Sequence, residues 1–333
     1  MRYSKGMAIK LLKPKVNNLG KKVIFLTGGR GMVGQNILEH PAATKYDIVA
    51  PSSQELDLTD FAATQRFMVA TNPDFVIHSA GLVGGIQANI AHPVDFLVTN
   101  TDLGRNVIMA ARKAGVRKLI NLASSCMYPR IATNPLSEAL VLQGELEPTN
   151  EGYALAKIFA TRLCEYINRE TQQIGESSVR YKTLIPCNLY GRHDKFAPQH
   201  SHLIPAIIHK VHQAKLQHLS EVDIWGDGSA RREFMYAGDL AGAVLQAVQD
   251  FSQLPDLINI GLGHDHSIND YYAAAAQVIG WKGKFVHDIT KPVGMKQKLV
   301  DITRQRAWGW MPTTTLSAGI EKAYQYYLME QNA

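Results

Sequence analysis

Val23-Ile-Phe-Leu-Thr-Gly-Gly-Arg-Gly-Met-Val-Gly34 is the stretch on which the fold turns. Its first five residues are aliphatic, aromatic or β-branched and stop at Gly28-Gly29, and apolar residues then recur at helical spacing from Met32 to Leu38. That pattern reads as strand, turn and helix. Gly28, Gly31 and Gly34 fit G-x-x-G-x-x-G in the turn. Gly28 permits a sharp turn, Gly31 lets backbone approach a pyrophosphate, and Gly34 lets helix and sheet pack closely, with the helix N-terminus facing the anion. Gly28, Gly29, Arg30, Gly31, Met32, Val33 and Gly34 are therefore expected to cradle a dinucleotide.

Outward from this loop the alternation continues. Ile48-Val49 reads as a strand, a helix starts near Phe61, Phe75–Ile77 is a strand, and a long helix runs from about Val94 to Lys113. Leu119–Leu122 is the next strand, followed by a helix from about Tyr153 to Arg169 and a strand at Lys182–Ile185. Strands alternating with helices predict an α/β, Rossmann-like, doubly wound parallel sheet covered on both faces. Beyond Ile185 the regularity loosens, and this part is expected to build a smaller substrate-binding lobe. The predicted organisation is a basic tail over 1–21, a nucleotide-binding domain over 22–186 and the lobe over 187–333. Segments at about 236–262 are expected to return to the sheet, because Leu240–Val248 reads as a helix and Leu257–Ile260 as a strand.

The bulk properties narrow the function classes. A chain of 333 residues with 46% hydrophobic residues can bury a full core, and it holds no apolar run long enough to cross a bilayer. The net charge of +6 is spread along the chain rather than interleaved with aromatics, which suits a polyanionic small molecule better than nucleic acid. Neither a nucleic-acid nor a membrane partner is expected. Cys126, Cys164 and Cys187 form no CxxC or zinc spacing, and no metal is expected; so few cysteines point to a reducing cytoplasm. The basic start of the chain lacks the hydrophobic stretch of a secretory signal and reads as a solvated tail.

A carboxylate at the end of the second strand would hold the ribose 2′-hydroxyl of NAD. Here Ala50-Pro-Ser-Ser-Gln54 offers none. Arg30 can pair with a 2′-phosphate, with Ser52 or Ser53 donating to it, so NADP(H) is the expected cofactor. The competing reading leaves Arg30 in solvent. Tyr153 and Lys157, four residues apart, share one face of a helix. A phenol with pKa near 10 needs a neighbouring cation to act near neutrality, and such a pair can pass a proton to a developing alkoxide.

With Ser124 after a strand, His78-Ser-Ala-Gly81 and Asn100, the sequence resembles the extended short-chain dehydrogenase/reductases. Within them it is similar to the GDP-L-fucose synthase family of 3,5-epimerase/4-reductases. The text that carries this is Arg30–Gly34, Val83–Ile86, Ser124-Ser-Cys-Met-Tyr-Pro129, Leu146–Asn150, Asn188–Gly191 and Ser201–Pro205. The resemblance implies an NADPH-dependent reduction of the C4 ketone of a GDP-4-keto-6-deoxy sugar, with epimerisation at C3 or C5. It implies Tyr153 as proton donor, Lys157 as its tuning cation and ribose ligand, Ser124 on the reacting oxygen, and Cys126 with His202 as the acid/base pair. It further implies that Asp57, Pro186, Asn188, Leu189 and His202 touch the cofactor, and that Lys210, Trp225, Arg232 and Asn188 touch the substrate. A homodimer through the helices near 94–113 and 153–169 follows from the resemblance alone. The residues themselves leave plainer readings open: Cys126 as apolar filler, His202 as a residue at a helix start, Lys210 as surface charge.

Two departures bear on the substrate and cofactor. Val293 stands where such synthases usually show Asp, and Pro51 and Ser53 stand where they often show arginines. The first leaves a 3,6-dideoxyhexose or a heptose compatible, and the second weakens the NADP preference without reversing it. A nucleotide-sugar 4-epimerase with tightly bound NAD is the alternative enzyme.

Overall fold

The computed structural model describes residues 20–197, 201–291 and 295–331; most of the basic tail and Val293 lie outside them. The elements in chain order are β1 Val23–Thr27, α1 Met32–Glu39, β2 Asp47–Val49, α2 Phe61–Thr71, β3 Phe75–His78, α3 Ile86–Ala91, α4 Pro93–Lys113, β4 Lys118–Leu122, α5 Glu151–Gln173 and β5 Arg180–Pro186. The later part holds β6 Asn188–Tyr190, α6 Leu203–Leu216, β7 Glu221–Trp225, β8 Arg231–Arg232, β9 Phe234–Tyr236, α7 Ala237–Gln249 and β10 Leu257–Ile260. It ends with β11 His266–Ser267, α8 Ile268–Ile279, β12 Lys284–Asp288, β13 Gln297–Lys298, α9 Thr303–Trp308 and α10 Leu316–Gln331.

Among the described residues, one sheet has the order β10-β5-β4-β3-β1-β2 with its pairings parallel. A strand's side chains alternate between faces. Ile24 and Leu26 of β1, Ile77 of β3 and Ile120 of β4 accordingly enter one core, with Leu240, Val244 and Val248 of α7. Phe25, Val76 and Leu119 enter the opposite core, with Val107 and Ala111 of α4 and Cys164 and Ile167 of α5. Burial on both faces is why these strands read as continuous apolar runs. The chain thus has the Rossmann-like parallel sheet flanked by helices that the sequence pattern predicts.

The loosened region holds regular structure whose strands of two to five residues are too short to give a period. Asn188–Tyr190, read as loop, pairs in parallel with Phe234–Tyr236. Arg231–Arg232 sits between Gln297–Lys298 and His266–Ser267. A third core joins Ile204, Ile207, Ile208 and Val211 of α6, Tyr271 and Ala275 of α8, and Ile320, Ala323 and Tyr327 of α10. Ser267 and Asp270 close a capping box at the start of α8, and Gly280, in the left-handed region, ends it.

Candidate active site

Parallel strands all point one way, so the loops after them collect at the carboxyl edge of the sheet, and the strand order reverses between β1 and β3. The glycine loop lies at that reversal. Gly28 has φ +72°, and a Cβ there would stand 2.8 Å from Ala80 Cα, where the chain leaves β3. A Cβ on Gly34 would stand 2.2 Å from the Gly28 carbonyl, and one on Gly29 would stand 2.7 Å from Ala50 Cβ. On the outer side, Gly31 would meet only the Gly28 carbonyl, at 3.4 Å. The loop is tight against the protein and open toward a ligand, which fits a pyrophosphate at the head of α1. Met32 and Val33 form the first turn of that helix.

The adenosine side differs from expectation in one respect. Ser52 is buried and Ser53 exposed, but Glu55, one residue past Ala50–Gln54, accepts from the Ser52 N–H at 2.7 Å. The Glu55 N–H returns a bond to Ser52 Oγ at 3.3 Å. These bonds, and then the Arg30 guanidinium, hold the Glu55 carboxyl below its usual pKa. Arg30 is exposed and also lines a cavity of about 1060 Å³ with Gln35, Lys195, Phe196, Tyr326 and Tyr327. The carboxylate of Asp57 is occupied by Thr59, accepting from its N–H at 2.9 Å and its hydroxyl at 2.7 Å.

Ser124 follows β4, and its hydroxyl accepts from the Cys126 N–H at 3.4 Å. Lys157 on α5 is buried and donates to the Leu122 carbonyl at 2.9 Å; its Nζ lies 5.7 Å from the centre of the Tyr153 ring. The 79–85 loop crosses in front of it. Asn100 pins that loop by accepting from the Leu82 N–H at 2.8 Å and donating to the Leu82 carbonyl at 3.1 Å. A Cβ on Gly81 would lie 3.8 Å from Lys157 Nζ, and one on Gly85 would lie 3.1 Å from the Ser201 carbonyl. His202, beside that carbonyl, is the N-cap of α6. Pro186 ends β5 next to β4, and Asn188 on β6 donates to the Glu233 carbonyl at 3.0 Å, with Leu189 following.

Burial dominates the electrostatics. It lowers the Lys157 pKa to about 8 and raises that of Tyr153, which the neighbouring Cys126 raises further. Tyr153 is therefore a protonated phenol at ordinary pH, a store of one proton. His78, buried and 2.9 Å from Thr27 Oγ1, is pushed down to about 3 by burial and then by Lys157, and stays neutral. The Cys126 thiol is raised by burial, against Lys298, the Ser124 hydroxyl and Lys157, which pull it down in that order. His202 remains accessible to solvent, yet the protein around it lowers its pKa, and Lys195 lowers it further. Cys126 and His202 thus hold one proton between them as thiol and neutral imidazole.

Lys298, Glu147 and Lys195 are residues to which the sequence reading gave no role. Lys298 is paired in register with Arg232 across β13 and β8, and its charge interacts with those of Cys126, Arg232 and Glu147. A two-residue strand gives no pattern, so only the fold reveals it. Lys210 on α6 pairs through its ammonium with Asp223 at 2.7 Å, and Trp225, 49% exposed, ends the β7 strand that carries Asp223, under the Lys291 ammonium.

The family model described as NAD dependent epimerase/dehydratase family matches residues 24–261. The chain belongs to this family. Within it, the chain is 51% identical over 309 residues to a GDP-L-colitose synthase of Yersinia pseudotuberculosis, covering 93% of this chain and 99% of the relative. It is 48% identical over 309 residues to a GDP-L-fucose synthase of Azorhizobium caulinodans, covering 93% and 97%. Among solved structures, a GDP-mannoheptose C4 reductase of Campylobacter jejuni with NADP bound superposes with a TM-score of 0.82 at 30% identity, covering 92% of this chain and 98% of that one. These relatives place the chain in the GDP-L-fucose synthase branch of the epimerase/dehydratase family.

Proposed function

We propose that this chain is an NADP-dependent nucleotide-sugar 4-ketoreductase/epimerase acting on a GDP-4-keto-6-deoxy sugar in the cytoplasm. The observation that carries the reading is the gathering of Ser124, Cys126, Tyr153 and Lys157 at the carboxyl edge, beside a glycine loop with an open outer face. Arg30, Ser52 and Lys157 would hold the dinucleotide, with Pro186, Asn188 and Leu189 along its path. When bound, NADPH supplies the hydride.

Tyr153, kept protonated, donates its proton to the sugar O4 as that oxygen becomes an alkoxide, and Ser124 bonds the same oxygen. Lys157, whose ammonium lies 5.7 Å from the centre of the ring, favours the phenolate left behind. The same ketone acidifies C3 and C5. In the form that reacts, the one proton shared by the pair stands on His202: the Cys126 thiolate removes a carbon-bound proton, the electron pair moves to O4 as an enolate, and the His202 imidazolium returns its proton on the opposite face. Arg232 suits the diphosphate. The GDP-L-colitose synthase relative favours a second substrate, a 3,6-dideoxy sugar, on which C5 alone can be inverted.

The test is NADPH consumption with GDP-4-keto-6-deoxymannose and its 3-deoxy counterpart, with mass spectrometry and NMR of the products. One NADPH lost per product supports the reading; product without net oxidation sinks it in favour of a 4-epimerase. Tyr153→Phe removes the donor and is expected to slow reduction by about 10² to 10⁴, while NADPH affinity, followed by fluorescence titration, stays within a few fold.

The nucleotide-binding unit proposed here comprises 22–186 together with 236–262, and the rest forms the lobe. A homodimer belongs to the same proposal. Val94 and Val98 of α4 and Leu155, Phe159 and Tyr166 of α5 are 38–68% exposed, and these two helices pack side by side. An apolar face of that kind suits a second copy of the chain.

A further inference from the structure

We propose that Asp223 is a specificity-determining residue that reads the guanine of a GDP-linked substrate whose base lies on the Trp225 ring. The inference rests on the reading of the substrate as a GDP-sugar, and it gives Lys210 and Trp225 a joint task. Along β7 the burial alternates: Glu221, Asp223 and Trp225 face solvent, while Val222 and Ile224 enter the lobe core. Residues two apart on a strand share a face and stand roughly 7 Å apart, so the Asp223 carboxylate and the Trp225 indole are neighbours. The indole is 49% exposed, and the Lys291 ammonium lies 5.8 Å from its ring centre. The adjoining strand β12 sets Val286, 44% exposed, in register with Asp223. An aromatic shelf with a carboxylate at its rim is a site on which a flat base can stack.

The shelf has a fixed relation to Arg232, the proposed ligand of the diphosphate. Trp225 leads through the 226–230 turn into β8. In that turn the Gly226 N–H donates to the Asp288 carbonyl at 2.8 Å, and Asp227 Oδ1 accepts from the Ser229 N–H at 2.9 Å. Asn269 of α8 holds the turn, donating to the Gly228 carbonyl at 3.1 Å and to the Asp227 carbonyl at 3.2 Å. Tyr271, on the same helix, donates to the Arg232 carbonyl at 2.7 Å. Shelf and diphosphate cation are thus braced against one helix. Asp223 is itself held: Lys210 pairs with its Oδ1 at 2.7 Å and donates to its carbonyl at 2.6 Å. Lys210 is thereby committed to the carboxylate rather than to a phosphate. An ionised carboxylate has about four lone-pair sites, and Lys210 occupies one. Guanine carries two adjacent donors, the N1–H and the 2-amino group, which match the two oxygens of a carboxylate. Hypoxanthine keeps only the N1–H, and adenine has an acceptor at N1, so each meets Asp223 with a donor missing.

The experiment measures the binding of GDP, inosine diphosphate and ADP by isothermal titration to the whole protein loaded with NADPH. The native chain is expected to bind GDP about tenfold more tightly than inosine diphosphate, and ADP more weakly still. Asp223→Ala should bring GDP and inosine diphosphate to within about twofold of each other. Asp223→Asn, which keeps the shape and removes the charge, should lower their ratio about threefold or more. Lys210→Met should lower the ratio as well, with Lys210→Arg restoring it. Trp225→Ala should weaken all three diphosphates about tenfold and leave their ratio unchanged. A native preference for GDP that survives Asp223→Ala overturns the inference while the GDP-sugar reading stands. Native affinities in Trp225→Ala take the base off the shelf and overturn the inference in the same way. Equal binding of all three diphosphates by the native chain overturns the GDP-sugar reading and the inference with it.

Discussion

Single side chains set the protonation states on which the proposed chemistry depends. Asp194 is a case outside the catalytic cluster. It is buried, its Oδ1 accepts from the Lys195 N–H at 2.8 Å, its Oδ2 has no partner, and burial lifts its pKa to about 7 from an ordinary 3.8. A carboxyl whose folded pKa is raised stabilises the fold below its unfolded pKa and loses that contribution as pH rises through the folded value, here between about 4 and 7. Asp194→Asn should therefore be close to neutral at pH 5 and stabilising by about 2 kcal/mol at pH 8, read as a pH-dependent gain in Tm. Glu55 offers a second residue-scale test. Its carboxylate faces Arg30 and occupies the Ser52 N–H, so Glu55→Gln should shift the kcat/KM ratio several fold toward NADPH over NADH. An unchanged ratio would separate Glu55 from cofactor choice. The proposed catalytic residues were legible as a candidate cluster because Tyr153 and Lys157 are four apart on one helix, and Ser124 and Cys126 two apart after one strand. Lys298 and Glu147 were not, because their nearness to Cys126 and Arg232 is made by tertiary pairing across more than 60 residues of sequence.

Elements were legible in proportion to the length of their apolar pattern. The strands of the main sheet are buried on both faces and announce themselves, whereas β8, β11 and β13 span two residues each and leave no periodicity. The turn from β1 into α1 was the most legible of all, since three glycines at fixed spacing have a single steric explanation. Gly34→Ala tests that explanation at this scale. Its new Cβ would collide with backbone, the Gly28 carbonyl at 2.2 Å and Gly29 Cα at 2.6 Å, and no side chain can move aside. The helix must slide, and we expect NADPH affinity to fall at least tenfold and stability by about 1–3 kcal/mol. Isothermal titration and thermal unfolding check both; native affinity would show that the loop yields.

For the whole molecule, the proposed dimer has a direct test. Val98 is 50% exposed on α4. Val98→Glu places a charge on the apolar face, and light scattering after gel filtration should show a monomer with native helix content. A native protein already monomeric would remove the proposal.

The last strand of the main sheet, Leu257–Ile260, pairs with Arg180–Pro186 from more than 70 residues earlier in the chain. During synthesis, β5 therefore leaves the ribosome well before its neighbour exists. Its bare backbone is an invitation to strands of other nascent chains. Polypeptides released between residues 186 and 257 should accumulate as aggregates or be degraded, and yield in a cell should depend on chaperones that mask this edge until residue 260 has emerged.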